Sequence, residues 1–460
     1  MFRKSKRMHF IGIGGIGMSG IAEILINLGY AVSGSDLRES EQTRRLSMLG
    51  ARIFIGHYPS NIEDYNVVVS SSAISPSNPE IIEARKRRIP IIHRAEMLAE
   101  LVRLKHGIGV AGTHGKTTTS SLLACLLYHG GINPTAIVGG KVLNFGSNAK
   151  IGQGDYIVFE ADESDGSFLK LLPSIAVVTN IDADHLDHYR YFEGLKDAFL
   201  QYINAVPFYG YSVLCVDDLT VAELLPRVER PYVTYGFSES ADFRAVNVRV
   251  ENGMTRYECL YRGRSLGEIS LGILGRHNAL NSLSTVAVAM DLGLSFGVIS
   301  EGLAGFRGVS RRMERVGEES GVLVMDDYGH HPTEIRATLD ALSNLGRRLI
   351  VVFQPHRYSR TQLLWEEFGK CFSRADVLFL SEIYPAGEEP IEGVSSDMIR
   401  QAIMKHTGRE AGVIGRFEEI AGRVAEEARE GDVVLTLGAG DIYKMGPAVL
   451  ELLKERGPSR

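Results

Sequence analysis

Twice along this chain a short apolar run ends in a glycine-rich turn and passes directly into a helical pattern, at Gly12-Ile13-Gly14-Gly15-Ile16-Gly17 and at Gly112-Thr113-His114-Gly115-Lys116-Thr117-Thr118. A strand that hands over to a helix through glycine leaves a row of backbone N–H groups at the helix start, and that is where phosphate binds. The surrounding rhythm agrees. MHFIGIG, YAVSGSD, VVVSSSAI and IPII alternate with helical patterns, and the alternation restarts at HGIGVAG, YIVFEADE and SIAVVTNID. This is the β-α-β signature of parallel sheets covered by helices. From Asp242 to about Leu274 polar and apolar residues alternate around Asn252-Gly253, which reads as antiparallel strands with a tight turn. A helix is expected from Arg276, and a third α/β unit with strands at GVLVMDD, RRLIVVFQ, DVLFLSE and DVVLTLGAG. The expected domains are 1–105, 106–308 and 309–460 of the 460 residues.

Whole-chain properties narrow the function. A formal net charge of −6 argues against a sequence-independent nucleic-acid binder, which normally carries a strong basic excess. Cys125, Cys215, Cys259 and Cys371 are scattered, so neither a zinc knuckle nor a disulfide framework is signalled, and four isolated thiols suit a reducing cytosol. Arg3, Lys4, Lys6 and Arg7 before an apolar stretch imitate a signal peptide, but the glycines of that stretch are better explained by the first turn. No run of about 18 apolar residues exists, so no membrane insertion is expected. The expected location is the cytoplasm.

The first turn fits G-x-G-x-x-G, with Asp36 about 20 residues on at the end of the next strand, where a carboxylate can accept ribose hydroxyls. These residues announce a pyrophosphate; NAD and a UDP-sugar both satisfy them. In the second turn Lys116 can neutralise β/γ-phosphates and Thr117 can bind magnesium. Val110 stands where the general phosphate loop has its first glycine, so the spacing is shortened. Glu160, at the end of YIVF, is followed by Asp162, Glu163 and Asp165, hard oxygen donors suited to Mg2+. Asp182-Ala183-Asp184-His185-Leu186-Asp187-His188 follows another strand and mixes carboxylates with histidine, as a second metal site does. The bland alternatives are an empty strand-to-helix turn, a surface Gly-Lys turn and an acidic surface loop.

With these residues in view, the chain resembles the Mur ligase family. Gly112 to Thr117 matches its shortened G-T-x-G-K-[ST] loop, and TNIDADHLDHY is similar to its Asn-x-x-x-Asp-His motif. The resemblance covers nearly the whole chain. It implies three domains: a Rossmann-like N-terminal domain, a central P-loop ATPase-like domain whose sheet is mainly parallel with some antiparallel strands, and a C-terminal Rossmann-like α/β domain. It places metal on Thr117, Glu160 and His185, with Glu163 an arguable alternative to Glu160. ATP falls to Gly112, Thr113, His114, Gly115, Lys116, Thr117, Thr118, Asn281, Arg312 and Asp327. Asn281 comes from GRHNALN, similar to the family's H-N-x-x-N segment, and Arg312 resembles the arginine that reaches the γ-phosphate.

The loop DDYGHHPT resembles the one that closes on ATP and the incoming amino acid, and FQPHRYSRT one whose arginines meet substrate carboxylates. Tyr328, His330, Arg357 and Arg360 are the residues implied there, with His330 joining Lys116, Glu160, His185 and Arg312 in the catalytic set. Gly12, Gly14, Gly15, Gly17 and Asp36 would hold UDP, and Ser71, Ser72, His93 and Arg94 would line its sugar. The runs GIGGIGMSG, DDYGHHPTE and FQPHRYSRT resemble the branch that uses UDP-N-acetylmuramate, L-alanine and ATP. Several sibling ligases carry a carbamylated lysine about 15 residues after the metal histidine; here that stretch reads Phe199-Leu200, with Lys196 out of register.

The activity implied is amide formation through an acyl phosphate, with ATP and two Mg2+ ions, Mn2+ able to substitute, in a monomer or weak homodimer whose C-terminal domain closes over ATP. An NAD-dependent oxidoreductase and a non-catalytic nucleotide-regulated protein are the rivals of another class, and a ligase recycling a tripeptide onto the same sugar is the nearer one.

Overall fold

The computed structural model describes residues 7–71, 73–184, 186–251, 253–413 and 417–456. The chain is mixed α/β, and its described residues build three sheets, mostly parallel. The first has five parallel strands in the spatial order Arg52–Ile55, Ala31–Asp36, Arg7–Ile11, Val67–Ser70, Ile91–His93. The order reverses on either side of Arg7–Ile11, so the crevice beyond its carboxyl end is a topological switch point, where open α/β sheets bind ligands. Gly12 to Gly15 occupy that crevice.

The second sheet has ten strands. Within it His106–Ala111 has Ile175–Val178 on one side and Tyr156–Glu160 on the other, all parallel. This register sets Val110 beside Glu160 and Ala111 beside Val178, so the phosphate loop, Glu160 and the 179–184 segment leave the sheet together. Beyond Tyr211–Cys215 and Tyr232–Gly236 lie Phe243–Glu251, Met254–Tyr261 and Arg264–Leu271 as successive neighbours. Their two-residue connections are of the length that joins antiparallel strands, in line with the alternating pattern of that stretch; Asn252 itself lies outside the described residues. An antiparallel pair, Thr135–Val142 with Ser147–Lys150, closes the opposite edge. No sequence reading anticipated it, because TAIVGGKVLNFGSNAK lacks a clean period-2 alternation.

The third sheet has six strands, ordered Glu314–Glu319, Val322–Asp327, Val433–Leu437, Leu349–Phe353, Val377–Leu380, Gly412–Val413. All its pairs are parallel except the edge hairpin 314–327.

By packing, the chain divides into two compact units: Met1–Val246 with Glu258–Ile269 and Leu280–Arg307, and Asn247–Tyr257 with Ser270–Ala279 and Gly308–Arg460. The first sheet and most of the second fall in one unit because they share an apolar core, which runs from Met8, Phe10 and Ile21 to Ile137, Phe159 and Tyr202. The second unit has its own cores on the two faces of the third sheet. Among the described residues no helix is long and apolar enough to cross a membrane.

The seam inside the first unit is helix Ile16–Asn27 against the 135–150 hairpin. Gly20 permits the approach: a Cβ there would lie 3.0 Å from Asn148 Nδ2 and 3.4 Å from the Ala149 Cβ. Asn148 Nδ2 donates to the Ile16 carbonyl at 2.5 Å, and Glu23 accepts both Arg45 at 2.7 and 3.0 Å and the Ser147 hydroxyl at 3.3 Å. Gly20→Leu is therefore expected to overpack this seam and cost about 1–3 kcal/mol, read as a lower denaturation midpoint. A midpoint equal to wild type would mean that helix and hairpin do not pack this way.

Candidate active site

The first turn is organised by the strand beside it. Gly12 takes φ +77°, and Gly12 N and Ile13 N both donate to the Ser35 carbonyl, at 2.8 and 3.0 Å. Gly14 N donates to Asp36 Oδ2 at 2.8 Å, so the carboxylate expected at ribose also braces the turn. Gly15 caps helix Ile16–Asn27. Gly17 lies against the Arg94 guanidinium, which a Cβ at that position would strike. His93 Nδ1 caps helix Arg94–Val102 at the Ala95 N–H, 3.3 Å away, and burial pushes its pKa down against the pull of Asp165. Ser71 is half-buried just past its strand, and its carbonyl accepts the Ile74 N–H. Ile74 in turn packs on Gly12. Ser72 lies outside the described residues.

The phosphate loop has two left-handed glycines. Gly112, at φ +134°, presses on the Thr179 hydroxyl, and Gly115, at φ +82°, caps helix Lys116–His129. A Cβ at Gly115 would sit 2.8 Å from Asn281 Oδ1, so Asn281 lies against the loop. The loop is pinned from the neighbouring strand end. Thr113 N donates to the Asn180 carbonyl and His114 N to Asn180 Oδ1, while His114 Nε2 meets Asp182 Oδ2 at 3.0 Å. Thr118 is half-buried in the first helical turn. His185 lies outside the described residues.

Two carboxylates divide the loop between them. Lys116 Nζ donates to the Gly112 and Thr113 carbonyls at 2.7 and 3.2 Å and to both oxygens of Glu163, at 3.0 and 2.9 Å. The Thr117 hydroxyl donates to Glu160 at 2.9 Å, and Gly139 N donates to the same Glu160 oxygen at 2.8 Å. Burial alone would strip the proton from Lys116, but Glu163, Asp162 and Glu160 outweigh it and hold its pKa above the ordinary value. Burial would likewise raise Asp162, yet Lys116 and Arg94 hold it below the usual carboxylate range. Asp162 thus sits in the field of both glycine-rich turns, 3.6 Å from the Arg94 guanidinium. That link, and the part played by the Gly139 N–H, had no signal in the sequence.

The donors fit the groups that the motif implies. Gly112 and Gly115 hold the loop in a left-handed backbone and in contacts with Thr179 and Asn281 that a side chain would not allow, Lys116 is a cation, and Thr117 with Glu160 offers a hydroxyl and a carboxylate, the hard oxygens Mg2+ takes. Lys196, by contrast, is engaged elsewhere. Its ammonium bonds Glu193 at 3.0 Å and Glu223 at 2.8 and 2.9 Å, and these partners raise its pKa.

In the second unit, Asp327 is buried. Its Oδ2 accepts Met313 N, and its Oδ1 accepts Gly329 N and the Thr338 hydroxyl. Burial pushes its pKa up to about 6 against Arg312 and these donors. The Arg312 guanidinium lies 5.1 Å from the Tyr328 ring centre and 3.6 Å from Glu334. His330 Nδ1 meets the Tyr328 carbonyl at 3.1 Å, and its ring lies 5.4 Å from Tyr328 and 5.6 Å from His356. Pro332 opens helix Pro332–Ser343, with a His331–Glu334 capping box before it. Arg360 acts electrostatically on both His330 and His356, whereas Arg357 is exposed in a left-handed conformation, φ +72°. Tyr328, His330, Arg312 and Arg360 are therefore gathered, with Arg357 at the rim.

Burial pushes the His330 pKa down to about 3, with Arg360 and His356 adding to it and Glu334 opposing, so the ring is neutral at pH 7. As pH falls through 6.5 the unfolded chain takes up a proton here that the folded chain refuses, so stability present above 6.5 is lost as the solution is acidified toward the folded value. Relative to wild type, His330→Gln should flatten the fall in unfolding free energy between pH 6.5 and 4 by about one proton. Parallel slopes in urea titrations would contradict the neutral ring.

Profiles of known families match in register with this architecture. The "Mur ligase family, catalytic domain" covers residues 7–106, the "Mur ligase middle domain" 110–289 and the "Mur ligase, glutamate ligase domain" 311–440. The UDP-N-acetylmuramate–L-alanine ligase of Geotalea daltonii is 55% identical over 456 residues, 99% of this chain and 100% of that one. The enzyme of the same name from Geobacter sulfurreducens is 55% identical over 459 residues, 99% of each chain. Among solved structures, the UDP-N-acetylmuramate-alanine ligase of Thermotoga maritima superposes with a TM-score of 0.84 at 30% identity, covering 98% of this chain and 99% of that one. With all three profiles matched along its length and relatives of this identity spanning it end to end, the chain belongs to the Mur ligase family.

Proposed function

We propose that the chain joins L-alanine to the lactyl carboxylate of UDP-N-acetylmuramate with ATP, giving ADP and phosphate, as a step in building peptidoglycan precursors. The observation that carries this is the paired arrangement at the phosphate loop: Lys116 opposed by Glu163, and Thr117 opposed by Glu160. The full-length relatives bearing that enzyme name support the choice of substrates. In this reading residues 1–105 bind the UDP-sugar, 106–308 bind ATP, and 309–460 serve the amino acid.

Condensing a carboxylate with an amine in water is uphill, so ATP activates the carboxylate as an acyl phosphate. The amine attacks, and phosphate leaves through a tetrahedral intermediate. The obstacle is the approach of an anionic carboxylate to an anionic γ-phosphate. Lys116 lowers that repulsion as a fixed cation. Thr117 and Glu160, with His185, would hold Mg2+, which supplies further neutralisation of the phosphates when bound. Glu163 keeps Lys116 charged and aimed along the loop until phosphate oxygens replace it. His330, neutral at pH 7, would accept a hydrogen bond from the incoming amino acid without taking its proton. Tyr328, Arg357 and Arg360 would meet the amino acid and carboxylate groups.

Phosphate release should require UDP-N-acetylmuramate, L-alanine, ATP and Mg2+ together; release that depends on a tripeptide instead of alanine would favour the recycling reaction. Lys116→Ala should cut turnover on the order of a hundredfold or more while calorimetric binding of UDP-N-acetylmuramate persists. Loss of both together would contradict the division of labour. Glu160→Gln should raise the Mg2+ concentration needed for half-maximal rate on the order of tenfold, and an unchanged Mg2+ requirement would move that role to Glu163.

A further inference from the structure

Beneath the first sheet lies a buried polar cluster that neither phosphate chemistry nor the glycine turns account for. Its centre is the Glu80 carboxylate, at 0% exposure, with His9 and Ser35 also at 0% and Asn61 at 5%. Glu80 Oε2 accepts the Ser35 hydroxyl at 2.6 Å and faces His57 Nδ1 at 3.2 Å; Oε1 accepts Asn61 Nδ2 at 2.6 Å and faces His9 Nε2 at 3.6 Å. His9 is itself held by Ser33 at 3.0 Å and stacked on Tyr65, 5.0 Å between centres. Burial should drive such a carboxyl toward its neutral form, but the facing His9 ring and the bonds from Ser35 and Asn61 outweigh it and keep its pKa below the ordinary value. A buried carboxylate is costly unless every oxygen is satisfied, and breaking one partner costs more than an ordinary hydrogen bond.

The partners lead back to the UDP end of the first domain. Ser35, whose side chain Glu80 holds, offers its carbonyl to both Gly12 N and Ile13 N. The next residue, Asp36, braces Gly14 and offers its own carbonyl to Gly56 N at 2.8 Å. Gly56 O accepts Asn61 Nδ2 at 3.0 Å, and Asn61 returns to Glu80. The circuit Glu80–Ser35–Asp36–Gly56–Asn61–Glu80 is closed, and Asp36 and the glycine turn hang from it.

We propose that Glu80 is a positioning residue for the nucleotide sugar: its buried charge fixes the Ser35-Asp36 strand end and, through it, the Gly12–Gly17 turn. It touches no substrate. The proposal rests on the reading of residues 1–105 as the UDP-sugar domain. Glu80→Gln keeps the volume but turns one acceptor into a donor facing donors; Ser35→Ala removes one arm and leaves the charge otherwise paired.

The test is calorimetric titration of UDP-N-acetylmuramate into wild type, Glu80→Gln and Ser35→Ala, with steady-state kinetics and melting temperatures alongside. Glu80→Gln should weaken the sugar nucleotide on the order of tenfold and Ser35→Ala severalfold, while kcat at saturating sugar and KM for ATP hold within about twofold. A folded Glu80→Gln with wild-type affinity overturns the proposal. So does a loss of kcat and of both KM values in step with melting temperature, the mark of a merely structural role. If Glu80→Gln does not fold, Ser35→Ala decides by the same affinity. A wild type that does not bind UDP-N-acetylmuramate at all would sink the substrate reading instead.

Discussion

Much of this molecule is arranged around one buried ammonium group. Lys116 sits at the start of its helix among two backbone carbonyls and the Glu163 carboxylate, with Asp162 and Glu160 contributing to its field. A cation there would be expelled or deprotonated without those anions, and Lys116 in turn opposes the effect of burial on Glu163 and Asp162. The charge can be held only because three adjacent parallel strands end at the same level, delivering the loop, the 160–165 carboxylates and the 179–184 segment to one place. The sheet is therefore the scaffold of the charge balance, and phosphate oxygens entering the loop would substitute for a carboxylate already in position.

The same logic links the two glycine-rich turns. Asp162 is stabilised by Lys116 from the phosphate loop and by Arg94, whose guanidinium lies on Gly17 of the first turn. The helix that leaves the first turn packs through Gly20 on a hairpin of the second sheet, and the Gly139 N–H of that hairpin holds Glu160. Two glycine-rich turns about a hundred residues apart in sequence thus share one apolar core and one set of charges. For a ligase that must bring a sugar nucleotide's carboxylate to a γ-phosphate, such sharing keeps both ends in register.

Family membership also settles the contest between rival classes. A G-x-G-x-x-G turn with an acidic residue after it reads equally as a site for NAD, and nothing local distinguishes the two. The second loop and its carboxylates have no task in hydride transfer, and profile matches over all three parts of the chain leave the oxidoreductase without support. The engagement of Lys196 by Glu193 and Glu223 is of the same kind: a lysine paired and protonated is a poor site for carbamylation.

What the sequence determined by itself is local and periodic. Strand–glycine–helix transitions at Gly12 and Gly112, the buried strands ending at Asp36, Glu160 and Asp327, and the alternating stretch after Asp242 are legible because backbone conformation and burial leave their mark on neighbouring residues. Tertiary structure alone decided the pairings: that Glu163 answers Lys116 while Glu160 answers Thr117, that Arg94 meets Asp162, that Glu80 ties Ser35 to Asn61, and that an unpatterned hairpin supplies the Gly139 N–H. Each joins residues distant in the chain, most of them on different elements, through geometry set by strand order and register. A carboxylate two or three positions along a loop looks the same in sequence whichever cation it will face.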